Sequence, residues 1–76
     1  MQLLTGNQCR MARALLRWTE PELAKNAKVS IYAIRKIEAS DGPANIKAND
    51  LQLLHDAFLA TGKVRFTDNA VIPVED

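Results

Sequence analysis

Residues 20–37 read Glu20-Pro21-Glu22-Leu23-Ala24-Lys25-Asn26-Ala27-Lys28-Val29-Ser30-Ile31-Tyr32-Ala33-Ile34-Arg35-Lys36-Ile37, the spacing of two short helices joined by a tight turn. Thr19 with Glu22 forms a capping box at the start of the first of the pair. Pro21 falls in its first turn, where a missing N–H costs little, so it marks a start and not a break. Leu23, Ala24 and Ala27 supply the inner face of this helix over about Glu20 to Ala27, and Val29 plugs the turn. Ala24 is small where the two axes approach. Ser30 is the N-cap of the next helix, about Ile31 to Ala39, whose inner face is Ile34 and Ile37.

A helical wheel at about 100° per residue separates the two sides of that second helix. With Ile31 at zero, Arg35, Tyr32 and Lys36 fall at about 40°, 100° and 140°, and Ala33, Ile37, Ile34 and Glu38 between about 200° and 340°. Ile31, Tyr32, Arg35 and Lys36 therefore face outward, an aromatic beside two cations. Such a face suits a major groove, where Lys reaches guanine acceptors and apolar groups touch thymine methyls. An ordinary solvated basic face has the same pattern.

Working outward, Thr5 with Gln8 and Asn49 with Gln52 are further capping boxes. A helix from about Gln8 to Trp18 carries an apolar face of Cys9, Ala12 and Leu16, and one from about Asp50 to Thr61 turns Leu51, Leu54 and Phe58 inward. Asp41-Gly42-Pro43 is a turn, and Gly62 is a stop for the last helix. Beyond it Val64-Arg65-Phe66-Thr67 alternates with period two, Asp68-Asn69 is turn chemistry, and Ala70-Val71-Ile72 is a short apolar run, so a C-terminal β-hairpin follows. Pro73 ends its last strand or keeps it at an edge. The hairpin's Val64, Phe66, Val71 and Ile72 need cover. Either they fold back on the first and fourth helices, or a strand edge pairs with a second copy, the arrangement expected here.

The fold expected is mainly α, four helices with a short C-terminal β-hairpin, in a single domain: residues 1–63 are the helical part and 64–76 the hairpin and tail. A chain of 76 residues has room for one core. It buries only about 60% of its unfolded surface, so association with a second copy would help it. Its apolar fraction of 47% and charged fraction of 25% exclude a disordered chain. One cysteine forms no internal disulfide, Met1-Gln2-Leu3-Leu4 lacks the charge and apolar run of a secretory signal, and no stretch is long enough to span a membrane. A cytoplasmic protein is expected. Residues 1–47 hold eight Lys and Arg against four Asp and Glu, a net +4, whereas residues 48–76 hold two against five, a net −3. A basic first part suggests a face for an anionic partner.

Glu38 lies at the margin of the apolar face, where a carboxylate is costly unless paired. Of the stripe Arg10, Arg13 and Arg17 on the first helix, Arg13 lies nearest. Leu23-Ala24, Val29-Ser30, Ile34 and Ile37-Glu38 together resemble the Xre and lambda-repressor family of helix-turn-helix transcription regulators over about residues 5–60. The resemblance implies a four-helix lambda-repressor-like domain and sequence-specific binding of double-stranded DNA through residues 20–38. It also implies a structural ion pair of Arg13 and Glu38.

With the wheel, it gives Lys36 and Tyr32 the reading of bases and Ile31 an apolar contact. Arg35, Lys28 and Lys47 would hold phosphates, with Ser30 at the helix start. Arg10 and Arg17 are phosphate contacts or solvated charges. The sequence departs from the family at Glu20, where a glutamine is usual and a carboxylate would meet phosphate repulsion. It departs again at Lys28 in place of the turn glycine, at a cost of about 1 kcal/mol if that residue is left-handed.

The function expected is that of a small homodimeric regulator, a repressor, on half-sites about one helical turn apart. The rival is a protein-binding module of the same fold, an antirepressor or anti-activator, with Ile31 and Tyr32 as its hot spot. No enzyme and no cofactor are expected. His55, the single histidine, reads as a solvated residue on the outer side of the last helix, Cys9 as a core residue, and Trp18 as a packing plug. One Cys and one His make no zinc set.

Overall fold

The structure is a computed structural model that describes residues 4–41, 46–68 and 70–74. Its elements are α1 (Gly6–Leu16), α2 (Glu20–Ala27), α3 (Ile31–Glu38), α4 (Ala48–Ala60), β1 (Val64–Phe66) and β2 (Val71–Pro73). Gly42 and Pro43 of the expected turn, and Asn69 of the hairpin turn, lie outside the described residues.

Capping sets three of the four helix starts. Thr5 accepts from the Gln8 N–H at 3.1 Å while Gln8 Oε1 accepts from the Thr5 N–H at 3.0 Å. Thr19 and Glu22 repeat this reciprocal pair at 3.2 and 3.0 Å, with Pro21 in the first turn. The Ser30 hydroxyl accepts from the Ala33 N–H at 3.2 Å. The fourth start differs from expectation: Lys47, not Asn49, is the N-cap of α4, and its side chain makes no cap hydrogen bond. Asn49 lies inside the first turn, and Gln52 donates to Asp56 Oδ1 at 2.8 Å, one turn further on.

Left-handed residues close α1 and α2, whereas the C-caps of α3 and α4, Ala39 and Thr61, are right-handed. Arg17 (φ 58°) closes α1, whose last residue Leu16 lies two before the expected stop at Trp18, Lys28 (φ 58°) closes α2, and Gly62 (φ 70°) follows α4. At the first two, the next N–H turns back to a carbonyl five residues earlier, Trp18 to Arg13 at 2.9 Å and Val29 to Ala24 at 3.2 Å. Neither Arg17 nor Lys28 is glycine, so each carries the crowding of a Cβ in that conformation.

One core joins all six elements. Cys9 and Ala12 of α1, Leu23 and Ala27 of α2, Val29 of the turn after it, Ile34 and Ile37 of α3, Leu51, Leu54 and Phe58 of α4 and Val64 and Val71 of the hairpin are buried together with Leu4. Trp18 stacks on Phe58 with centroids 5.9 Å apart, and Phe58 meets Phe66 edge-on at 5.9 Å. The indole is thus a plug over the core.

β1 and β2 pair antiparallel with Val64 opposite Pro73, Arg65 opposite Ile72 and Phe66 opposite Val71. The cover for the hairpin comes from α1 and α4, while Ile72 and Val74 stay exposed. Gln8 anchors it: with 2% of its surface exposed, its Nε2 donates to the carbonyls of Thr67 (2.6 Å) and Ala70 (3.2 Å) at the hairpin turn. The same amide oxygen caps α1, so one side chain ties the first helix to the last element. His55 is not on a solvated face as expected, because Phe66 stacks on its ring at 5.3 Å and covers it. No helix among the described residues is long and apolar enough to cross a membrane.

Candidate nucleic-acid interface

The outer face of α3 depends on how firmly its inner face is held, and α1 holds it at three points. Arg13 donates from Nε to Glu38 Oε2 and from Nη2 to Glu38 Oε1, both at 2.8 Å, a two-point pair. Glu38 is only 7% exposed, and this hydrogen bond with Glu38 raises the Arg13 guanidinium above its usual range. Arg13 Nη1 also donates to the Trp18 carbonyl at 3.0 Å, and the Cys9 thiol donates to Glu38 Oε2 at 3.2 Å. Burial pushes the Cys9 thiol well above its ordinary range, with Glu38 adding to the effect, so it is a packed and inert group.

Arg10 supplies the second point. Its guanidinium donates to the carbonyls of Glu38 and Ser40 and pairs with Asp41 Oδ1, so it caps the C-terminal end of α3 with a cation. This corrects the expectation for Arg10, whose donors serve α3 instead of an outside anion. Gly6 is the third point. A Cβ built there would lie 1.9 Å from the Ser40 carbonyl oxygen and 2.1 Å from that of Ile37, so the start of α1 rests against the backbone at the end of α3. The Asn7 N–H donates to the Asp41 carbonyl at 3.1 Å beside it.

With its inner side fixed, α3 presents Tyr32, Arg35 and Lys36 to solvent, and Tyr32 is 76% exposed. Tyr32, Ala33 and Lys36 form one wall of a groove whose other wall is Ile46, Lys47 and Asp50 at the start of α4. The structure thus brings Lys47 beside Tyr32 and Lys36, as the sequence reading requires. Lys28 is exposed in the turn ahead of α3, and Ser30 is exposed while its hydroxyl is engaged as the cap. Ile31 is half-buried, which reduces the apolar contact it can offer.

Arg17 belongs to a different surface, a groove shared with Leu15, Leu16, Trp18, Thr61 and Lys63. It shares no residue with the α3 groove. Arg35 is not a free cation: its Nε lies 3.5 Å from Glu20 Oε1, so the first residue of α2 reaches the outer arc of α3. Among the described residues Lys28, Lys36 and Lys47 carry no ion pair. Sequence reasoning did not find the Glu20–Arg35 contact or Asp50 in the groove. The first needs the crossing of α2 and α3, and the second the placement of α4.

Chemically, the groove offers the two ammonium groups of Lys36 and Lys47, the Tyr32 phenol and the Asp50 carboxylate, with Lys28 and the Arg35–Glu20 pair outside its walls. It can accept an anionic, hydrogen-bonding surface with a stackable or apolar component. No family model matches the chain, and neither a curated protein nor a solved structure is similar enough to it to carry an argument.

Proposed function

We propose that the chain is a lambda-repressor-like helix-turn-helix domain of the Xre type that binds double-stranded DNA sequence-specifically as a small homodimeric regulator, a repressor. α3 enters the major groove, Lys36 and Tyr32 meet base edges, and Lys28 and Lys47 hold phosphates on either side. The observation that carries this reading is the convergence of a 76% exposed tyrosine with Lys36 and Lys47 on one groove, on a helix clamped from behind by α1. A dimer places two such helices about one helical turn apart on the duplex.

Titration of a random duplex against salt tests it. Phosphate neutralisation gives an affinity that falls steeply with salt, and a flat dependence removes the reading. Lys36→Ala is expected to change sequence preference. Lys47→Ala is expected to weaken all sequences alike and reduce the salt slope by roughly one. A footprint confined to one isolated half-site counts against the dimer.

A second reading, a protein-binding module acting on another regulator, is favoured by the Glu20 carboxylate on this face and by the exposed Tyr32. It predicts the flat salt dependence.

A further inference from the structure

Sequence reasoning assigned Arg35 to phosphate, and its contact with Glu20 argues otherwise. The Glu20 carboxylate lies 3.5 Å from Arg35 Nε, and the arginine side chain remains 58% exposed. A guanidinium beside a carboxylate is a locally neutral unit. A phosphate approaching it gains little net Coulomb attraction and meets the repulsion of Glu20. Guanine O6 and N7 are neutral acceptors and suffer no such repulsion. Arginine presents a planar fork of donors, and a carboxylate on the Nε side leaves both terminal nitrogens free to donate as a pair. Lys28 and Lys47, which carry no ion pair among the described residues, remain to hold phosphate.

We infer that Arg35 is a guanine-reading residue and that Glu20 is the positioning residue that braces it and keeps it from phosphate. This rests on the DNA-binding reading above. It makes the Glu20 departure from the family pattern a specificity device instead of a defect.

The test begins with selection of bound duplexes from a randomised library by the full chain, which defines the site. Arg35→Gln is then expected to lose the preference for guanine at one position by about tenfold or more, as one bidentate pair implies. Its salt slope should stay unchanged, in contrast to Lys47→Ala, which lowers the slope by roughly one. Glu20→Gln is expected to relax the same position and to steepen the slope by roughly one, because the released arginine turns to phosphate. A change in fold would shift neither quantity in this paired manner, and thermal melts of each variant record folding independently.

If Arg35→Gln weakens every sequence equally and lowers the slope, Arg35 holds phosphate and the inference is overturned while DNA binding stands. If Glu20→Gln leaves preference and slope unchanged, the bracing role is overturned. Failure of the unaltered chain to enrich any duplex overturns both the inference and the proposed function.

Discussion

Gly6→Ala is the smallest change that tests the architecture, since it adds one methyl group at the point where α1 meets the end of α3. Alanine in a helix is ordinarily better than glycine by about 0.5–1 kcal/mol, so local propensity alone predicts a gain. The structure predicts the opposite. The new Cβ would sit 1.9 Å from the Ser40 carbonyl oxygen and 2.1 Å from that of Ile37, and both obstacles are backbone. An ordinary C···O approach is about 3.4 Å, so the two segments must separate by roughly 1.5 Å.

Separation on that scale also stretches the Asn7 N–H bond to the Asp41 carbonyl and the Arg10 clamp on Glu38, Ser40 and Asp41. Overpacking of this kind costs about 1–3 kcal/mol, and each lost hydrogen bond adds about 1 kcal/mol. A net loss of about 2–3 kcal/mol outweighs the propensity gain. For a domain of this size, each kcal/mol lowers the melting temperature by about 4–8 °C. A thermal melt followed by circular dichroism, with urea unfolding for comparison, is expected to show a fall of about 10–20 °C. A melting temperature equal to or above that of the unaltered protein refutes the close approach of α1 to α3.

Three further outcomes follow from the same contacts. Arg13→Ala leaves Glu38 buried without its partner and is expected to cost about 3–5 kcal/mol; urea denaturation should show the chain largely unfolded where the unaltered protein is folded. Lys28→Gly relieves a left-handed lysine and should raise stability by about 1 kcal/mol, yet removes a cation beside α3. Melting temperature should therefore rise while the affinity for duplex DNA and its salt slope fall, and a parallel fall in both would show that the turn is not strained. Burial raises the Cys9 thiol, so a thiol-specific reagent at mildly alkaline pH should leave the native protein unreacted and modify it fully in denaturant; rapid native reaction would place Cys9 outside the core.

What could be read from the chain alone was whatever is fixed within a few residues. Thr19, Pro21 and Glu22 specify the start of α2 because all three act inside one helical turn, and the observed helix begins at Glu20 as expected. Ser30 and the period of Ile34 and Ile37 do the same for α3. The Arg13–Glu38 pair was also legible, since a charged residue at the edge of an apolar face demands a partner and the arginine stripe offered one. The start of α4 was misread because Asn49 and Gln52 have capping chemistry without occupying capping positions. The packing of Leu51, Leu54 and Phe58 fixes where that helix runs, and Lys47 becomes the cap by position alone. Gln8 illustrates the remaining limit. Its role in the α1 cap is local and visible, whereas its bonds to Thr67 and Ala70 cross about sixty residues and leave no trace in spacing.

The site follows the same division, and that division has a functional consequence. Residues that hold α3 in place, namely Gly6, Arg10 and Arg13, all come from α1, while residues that modify its outer face, namely Glu20, Lys28 and Lys47, come from α2, the turn and the start of α4. Support and readout thus rest on different segments. Substitutions in the second group change charges on an already rigid helix, because none of those side chains contributes to the core. Substitutions in the first group move the helix itself. On the proposed function, a chain of this design alters what it recognises at Glu20, Tyr32, Arg35 or Lys36 with little loss of stability. The cost of precision is concentrated where α1 meets the end of α3, at a glycine and two arginines that touch no part of the outer face.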